Sequence, residues 1–142
     1  MIEVAAAVVR RGGRVLVARR ARPAELAGLW EFPGGKLEPG ESGEAALARE
    51  LVEELALDVE VGGVLGSSER VPAGGGAADL RLTAYAARPR DGGQEPRPID
   101  GTHDALRWVD AAELVDLDLA PLDVPLVPGA LAYLNTPDDH LR

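Results

Sequence analysis

The chain contains no cysteine, which excludes disulfide staples and thiolate chemistry and is compatible with a reducing compartment. Aromatic residues make up only 4%, so alanine, valine and leucine must supply the packing of any core. Positive charge is also scarce: 15 Lys and Arg stand against 24 Asp and Glu, a formal net charge of -9. That balance argues against binding a nucleic acid polymer or an anionic membrane surface. No apolar run approaches the roughly 20 residues that span a bilayer, and the start Met1-Ile-Glu-Val has neither the basic nor the apolar segment of a secretion signal. A cytoplasmic location, with no membrane partner, is the expectation. The 142 residues, 46% of them hydrophobic, suffice for one full core, so residues 1–142 are expected to form a single domain.

Val- and Ala-rich segments from Ile2 to Arg10 and from Arg14 to Arg20 flank Gly12-Gly13 and predict a hairpin with a two-residue turn. Further strands are expected near Asp58 to Val64, Leu80 to Ala87 and Leu106 to Val109. Between the first two of these lies Ala73-Gly-Gly-Gly-Ala-Ala78, a loop that lacks a lysine-serine pair and precedes a strand, unlike a phosphate-binding P-loop. Arg88 to Gly101 reads as a long connection, Asp110 as the start of a short helix, and Val127 to Leu134 as a closing helix with Pro128 in its first turn. Strands around a central helix predict an α/β domain.

That central helix carries the chemistry. Gly35-Lys-Leu-Glu-Pro-Gly-Glu41 shapes a turn, and Arg49-Glu50-Leu51-Val52-Glu53-Glu54 follows seven residues later. At about 100° per residue, Glu50, Glu53 and Glu54 project from one side of the helix, and Leu47, Leu51 and Leu55 form the facing apolar stripe. An acidic solvated face would show the same spacing. Clustered carboxylates repel, however, and a hard divalent cation such as Mg²⁺ or Mn²⁺, with its preference for oxygen ligands, would relieve that repulsion. Without metal, the repulsion is expected to raise the carboxylate pKa values.

The spacing Gly35, five residues, Glu41, seven residues, then Arg49-Glu50-Leu51-x-Glu53-Glu54 resembles the Nudix box of the Nudix hydrolases at every charged position. The one departure is Ala56, where the family pattern has glycine; it suggests a helix that ends differently or runs slightly further. Arg19-Arg20 and Gly28-Leu-Trp-Glu-Phe-Pro-Gly-Gly-Lys36 look like the MutT branch of that family, as do His103-x-x-Leu-x-Trp108 and Pro121-x-Asp123-x-Pro125. The resemblance implies a Nudix α/β/α sandwich with a mixed sheet. It also implies metal-dependent hydrolysis of a nucleoside triphosphate to monophosphate and pyrophosphate, with an oxidised guanine nucleotide or a cytidine nucleotide (CTP, dCTP, 5-methyl-dCTP) as substrate. Mg²⁺ is the implied cofactor and Mn²⁺ a substitute.

By position, the resemblance places the Gly34 carbonyl with Glu50, Glu53 and Glu54 in the metal set, and Glu50 as the residue that orients or deprotonates water. Glu95 matches an acid outside the box that approaches the metals, and an exposed loop glutamate would look the same. Arg49 is expected to orient Glu41 or Glu38 rather than touch substrate. Arg20 and Lys36 match phosphate-binding positions, and ordinary surface cations would also fit. Of the histidines, His103 is expected to pack or cap near the sheet, and His140 lies in a polar tail. Asp123 stands where the branch uses an asparagine to read the base; an ionised Asp only accepts hydrogen bonds, which suits bases that present N–H groups. Its other reading is a helix cap before Pro125. A hydrolase of nucleotide sugars or dinucleotides and a non-catalytic nucleotide sensor are the alternative functions; monomer or homodimer is left open.

Overall fold

The computed structural model describes residues 1–137, and His140 lies outside them. The first strand, β1 (Ile2–Arg11), turns at Gly12-Gly13 into β2 (Arg14–Arg20), with Arg11 opposite Arg14. Gly12 takes a positive φ of 62°, a conformation that glycine reaches without the clash of a Cβ. Two short strands follow, β3 (Trp30–Glu31) and β4 (Gly34–Lys36), and then the helix α1 (Gly43–Leu55). The long strands β5 (Val59–Arg70) and β6 (Leu80–Pro89) come next, then β7 (His103–Val109), the helices α2 (Ala111–Asp116) and α3 (Val127–Leu134), and a single 3-10 turn, Val124–Leu126, before α3.

The sheet is mixed, with strand order β3-β2-β1-β6-β5; β6 runs parallel to β1, whereas β4 pairs with β1 and β7 with β2. On one edge of β1, β2 is paired only at Arg10 and Arg11, while β4 occupies Val4 to Ala6. Beyond the hairpin β2 leaves β1 and pairs instead with β3 and β7. The cleft described below lies where these two parts of the sheet separate.

Strand alternation sends Ala5, Ala7 and Val9 to one face, where they meet Leu47, Leu51 and Leu55 of α1. Ala6 and Val8 face the other way, towards Leu114 of α2 and Ala130 and Tyr133 of α3. The predicted leucine stripe is thus fully buried, and the small side chains of β1 let helices cover both sides of the sheet. This is the expected α/β/α arrangement. Several bounds differ from the sequence reading: β5 extends to Arg70, β7 starts at His103, and β3 and β4 are too short to have left a period in the sequence.

Helix α1 begins at Ser42, whose hydroxyl accepts from the Ala45 N–H at 3.1 Å. It ends at Ala56 in the left-handed conformation, φ 53° and ψ 38°, so the chain turns as a glycine would turn it and the expectation of a different or longer ending is not met. The alanine Cβ makes this conformation costly by roughly 1 kcal/mol. Ala56→Gly is therefore expected to raise the unfolding free energy by about 0.5–1 kcal/mol in urea titrations. A loss of stability would show that Ala56 is not strained.

Candidate active site

The acidic face of α1 is graded in exposure. Glu53 is 58% exposed, Glu50 18%, and Glu54 is buried. The Glu54 carboxyl is pushed up to about 8, first by burial and then by the charges of Glu50, Asp100 and Glu31. Burial, rather than the repulsion expected from the helix spacing, is the leading cause. One of its oxygens, Oε2, is buried with no hydrogen-bond partner.

Arg49 organises the neighbours of Glu54. Its guanidinium makes a two-bond contact with Glu41, Nε to Oε2 at 2.9 Å and Nη2 to Oε1 at 2.8 Å. Nη1 donates to Glu50 at 2.7 Å and to Glu53 at 3.4 Å, and Nη2 also reaches the Lys36 carbonyl at 3.2 Å. Glu38 lies 3.7 Å away. The bidentate bond holds the Glu41 carboxyl well below the usual range, at about 2. Glu41 in turn accepts from the Glu38 N–H at 2.9 Å, which ties the Gly35–Glu41 turn to the helix.

Strand β4 presents its backbone to the same region. Leu37 N–H donates to Glu3 and Ala7 N–H to Pro33, so Gly34 and Lys36 occupy the positions whose polar backbone groups point off the ladder with β1. For Lys36 that free carbonyl is the one Arg49 binds, and the same parity turns out the carbonyl of Gly34. A Cβ at Gly35 would fall on the carboxylate of Glu50, so glycine is what leaves room for that carboxylate against the strand.

A cleft of about 640 Å³ opens beside these groups, and Arg20, Glu31, Gly34, Gly35, Lys36 and Asp123 all line it. Lys36 is exposed, and among the described residues its ammonium makes no ion pair. Arg20 is held at two points, Nε on the Arg22 carbonyl at 2.9 Å and Nη1 on Glu31 at 3.3 Å. Asp123 is buried and its Oδ2 accepts from the Phe32 N–H at 2.9 Å. It makes no side-chain cap to the following turn, so the helix-cap reading fails. Burial raises its carboxyl to about 7, with Glu31 adding to the shift and the Phe32 bond opposing it. The premise of an always ionised acceptor is corrected accordingly: burial favours the protonated carboxyl of Asp123.

Glu95 is the residue the structure does not bring to the others. It is 76% exposed and pairs with Arg11 at 3.3 Å, at the hairpin end of β1, whereas β4 and the cleft adjoin Val4 to Ala6. The acids outside the helix whose charge reaches Glu54 are Asp100 and Glu31. Glu31 lies within the Trp30-Glu31-Phe32 run that guided the sequence reading, yet no role fell to it. Its significance depends on β3 pairing with β2 and β2 with β7, which no local pattern announces.

The donor set fits a hard divalent cation on two observations: every side-chain donor is a carboxylate oxygen, and Glu54 carries a buried oxygen with no partner. Among the described residues, no three His, Cys, Asp or Glu already converge as a metal cage, and Arg49 holds Glu50 and Glu53 instead. Fold and site together give a carboxylate-rich cleft region on an α/β scaffold, a chemistry suited to a divalent cation. The model of the NUDIX domain matches residues 1–129, and the chain belongs to that family. It is 51% identical over 146 aligned positions, 99% of this chain and 96% of the relative, to a putative 8-oxo-dGTP diphosphatase 2 of Mycobacterium tuberculosis. It is 39% identical to a CTP pyrophosphohydrolase of Escherichia coli, with 93% of each protein covered. The solution structure of the E. coli ORF135 protein superposes with a TM-score of 0.76 at 36% identity, covering 99% of this chain and 95% of that one.

Two variants test this geometry. Gly35→Ala is expected to displace the Glu50 carboxylate and lower hydrolytic turnover by at least about tenfold at unchanged secondary structure, the scale of losing a positioning contact. Wild-type turnover with a folded Gly35→Ala would sink the argument. For Asp123, the ordinary value of 3.8 is raised to about 7 on folding, so the folded protein keeps a proton that the unfolded chain releases. Its contribution to stability is full below pH 3.8 and is lost as pH rises to about 7. Asp123→Asn should therefore gain stability relative to wild type across that window, by about 1–4 kcal/mol at its upper end. A stability difference that does not vary with pH would refute the assignment.

Proposed function

We propose that the chain hydrolyses a nucleoside triphosphate to the monophosphate and pyrophosphate, with an oxidised guanine or a cytosine nucleotide as substrate. The observation that carries this reading is the cleft itself. It brings together two cations able to meet phosphates (Arg20 and Lys36), the Gly34-Gly35 backbone against which the Glu50 carboxylate packs, and a buried polar residue, Asp123, backed by an apolar wall that includes Val4, Leu80 and Leu82. The names of the two relatives, a putative 8-oxo-dGTP diphosphatase and a CTP pyrophosphohydrolase, support the same substrate class. The absence of cysteine is consistent with the nucleotide pool of the cytoplasm.

In this reading the Gly34 carbonyl, Glu50, Glu53 and Glu54 hold divalent metal, Mg²⁺ or alternatively Mn²⁺. Bound there, the metal supplies charge neutralisation on the phosphate oxygens and a lowered pKa for water. Glu50 is the residue closest to a base role. It is half-buried, fixed at 2.7 Å by Arg49, and leaves its second oxygen to orient or deprotonate water. Arg49 then acts on the acids and on the turn rather than on substrate. Arg20 and Lys36 hold the phosphate chain, and positioning accounts for most of the rate enhancement, since phosphoryl transfer asks little covalent chemistry of the protein. Asp123 reads the base edge. Ionised, it accepts from the amino group of cytosine or the N–H groups of guanine; protonated, it donates to a carbonyl. Base preference is accordingly expected to change around pH 7.

Pyrophosphate release measured across dCTP, 5-methyl-dCTP, CTP, dGTP, 8-oxo-dGTP and dTTP, with Mg²⁺ and with Mn²⁺, tests the proposal. Turnover of a cytidine nucleotide or of 8-oxo-dGTP well above dTTP is expected. Glu53→Gln should lose more than the roughly 10–100-fold typical of an outer-shell metal partner. No pyrophosphate from any triphosphate, or full activity of Glu53→Gln at limiting Mg²⁺, would overturn it.

A further inference from the structure

His103 has no place in the chemistry so far, yet its environment is unusual. Its side chain is fully buried at the start of β7, opposite Arg20 across the β2–β7 pairing, where the register slips between Arg19 and Arg20. Nε2 lies 2.8 Å from Glu31 Oε2, and Nδ1 is buried without a partner. A carboxylate only accepts, so it is Nε2 that carries the proton and donates. A fully buried imidazole with an orphan nitrogen is a poor choice for packing alone, where leucine would do better, and such an orphan in a fold calls for a reason.

The reason lies in Glu31. Its carboxylate lines the cleft together with Arg20, Gly34, Lys36 and Asp123. The Glu31 side chain is itself mostly buried, and a carboxylate held there needs hydrogen-bond donors. Two are present, and both meet the same oxygen: His103 Nε2 at 2.8 Å and Arg20 Nη1 at 3.3 Å. The imidazole is locked by burial, whereas the arginine is partly exposed in the cleft. We propose that His103 is a positioning residue that anchors Glu31 in the cleft wall, so that Glu31 in turn holds the Arg20 guanidinium ready for the substrate's phosphates.

This inference rests on the triphosphate reading for its kinetic consequence, but not for its geometry. With Glu31 unanchored, the remaining Arg20 side-chain hydrogen bond among the described residues is the one to the Arg22 carbonyl, and substrate binding weakens more than the chemical step. His103→Phe fills the volume without a donor; His103→Gln keeps an N–H that reaches Glu31. On the nucleotide that wild type turns over fastest, His103→Phe is expected to raise KM about tenfold, the scale of one charge-assisted hydrogen bond, with kcat within about twofold. His103→Gln should recover most of that loss. In combination with Glu31→Gln, His103→Phe should add little further, because both act on one contact.

Thermal melts accompany the kinetics. If both His103 variants lower Tm but leave KM at the wild-type value, His103 is a packing residue and the proposal falls. It falls equally if the effects of His103→Phe and Glu31→Gln multiply. ¹H–¹⁵N spectra of the protein alone give a second readout: the Arg20 Nε–H signal should move in His103→Phe and stay in His103→Gln. A signal unmoved in His103→Phe overturns the inference. Should wild type hydrolyse no triphosphate, the proposed function fails while these spectra still decide the anchoring.

Discussion

The arrangement of the candidate active site depends on one guanidinium. Arg49 lies on α1, yet its donors are divided among the Gly35–Glu41 turn, strand β4 and the helix's own acids. No other side chain offers five donors in a planar fork, and a lysine could not hold Glu41 by two bonds while keeping Glu50 at 2.7 Å. The contact is local in sequence but joins three kinds of backbone. It sets the position of Glu50, for whose carboxylate Gly35 leaves room, and the closure of the turn.

Around that hub the acids differ because their surroundings differ. Glu53 faces solvent, Glu50 is held by a cation, and Glu54 is buried with an unsatisfied oxygen. Three glutamates one turn apart thus become three chemically distinct groups, a difference that tertiary burial creates and that identical side chains could not. The same reasoning applies to Asp123. Its carboxyl is driven upward by burial and by Glu31, while the Phe32 N–H favours the charged form, and the balance brings it to about 7.

The scaffold gives these groups their places by dividing β1. Its first half pairs with β4 and its last residues with β2, so the sheet separates there and leaves a cleft with Arg20 and Glu31 on one part and Gly34 to Lys36 on the other. Alanine and valine along β1 allow helices to cover both faces without aromatic bulk. Ala56 shows the limit of reading a departure from a family pattern. The left-handed helix ending is imposed by the chain's need to turn into β5, and alanine accepts the strain rather than changing the path.

What the sequence determined alone is what depends on short spacing. The hairpin at Gly12-Gly13, the leucine stripe of α1, the acid edge and the partnership of Arg49 with Glu41 all follow from residues within one turn or one loop of each other, where helix geometry fixes who meets whom. Tertiary structure decided everything that required two distant segments to be brought side by side. Glu95 is directed to Arg11 rather than to the acids, because the connection after β6 crosses the hairpin end of β1. Asp123 accepts from Phe32, 91 residues away, instead of capping its neighbour, and His103 meets Glu31 at a separation of 72. Pairings of that kind are set by sheet register and by burial, which are properties of the assembled core and leave no period in the chain.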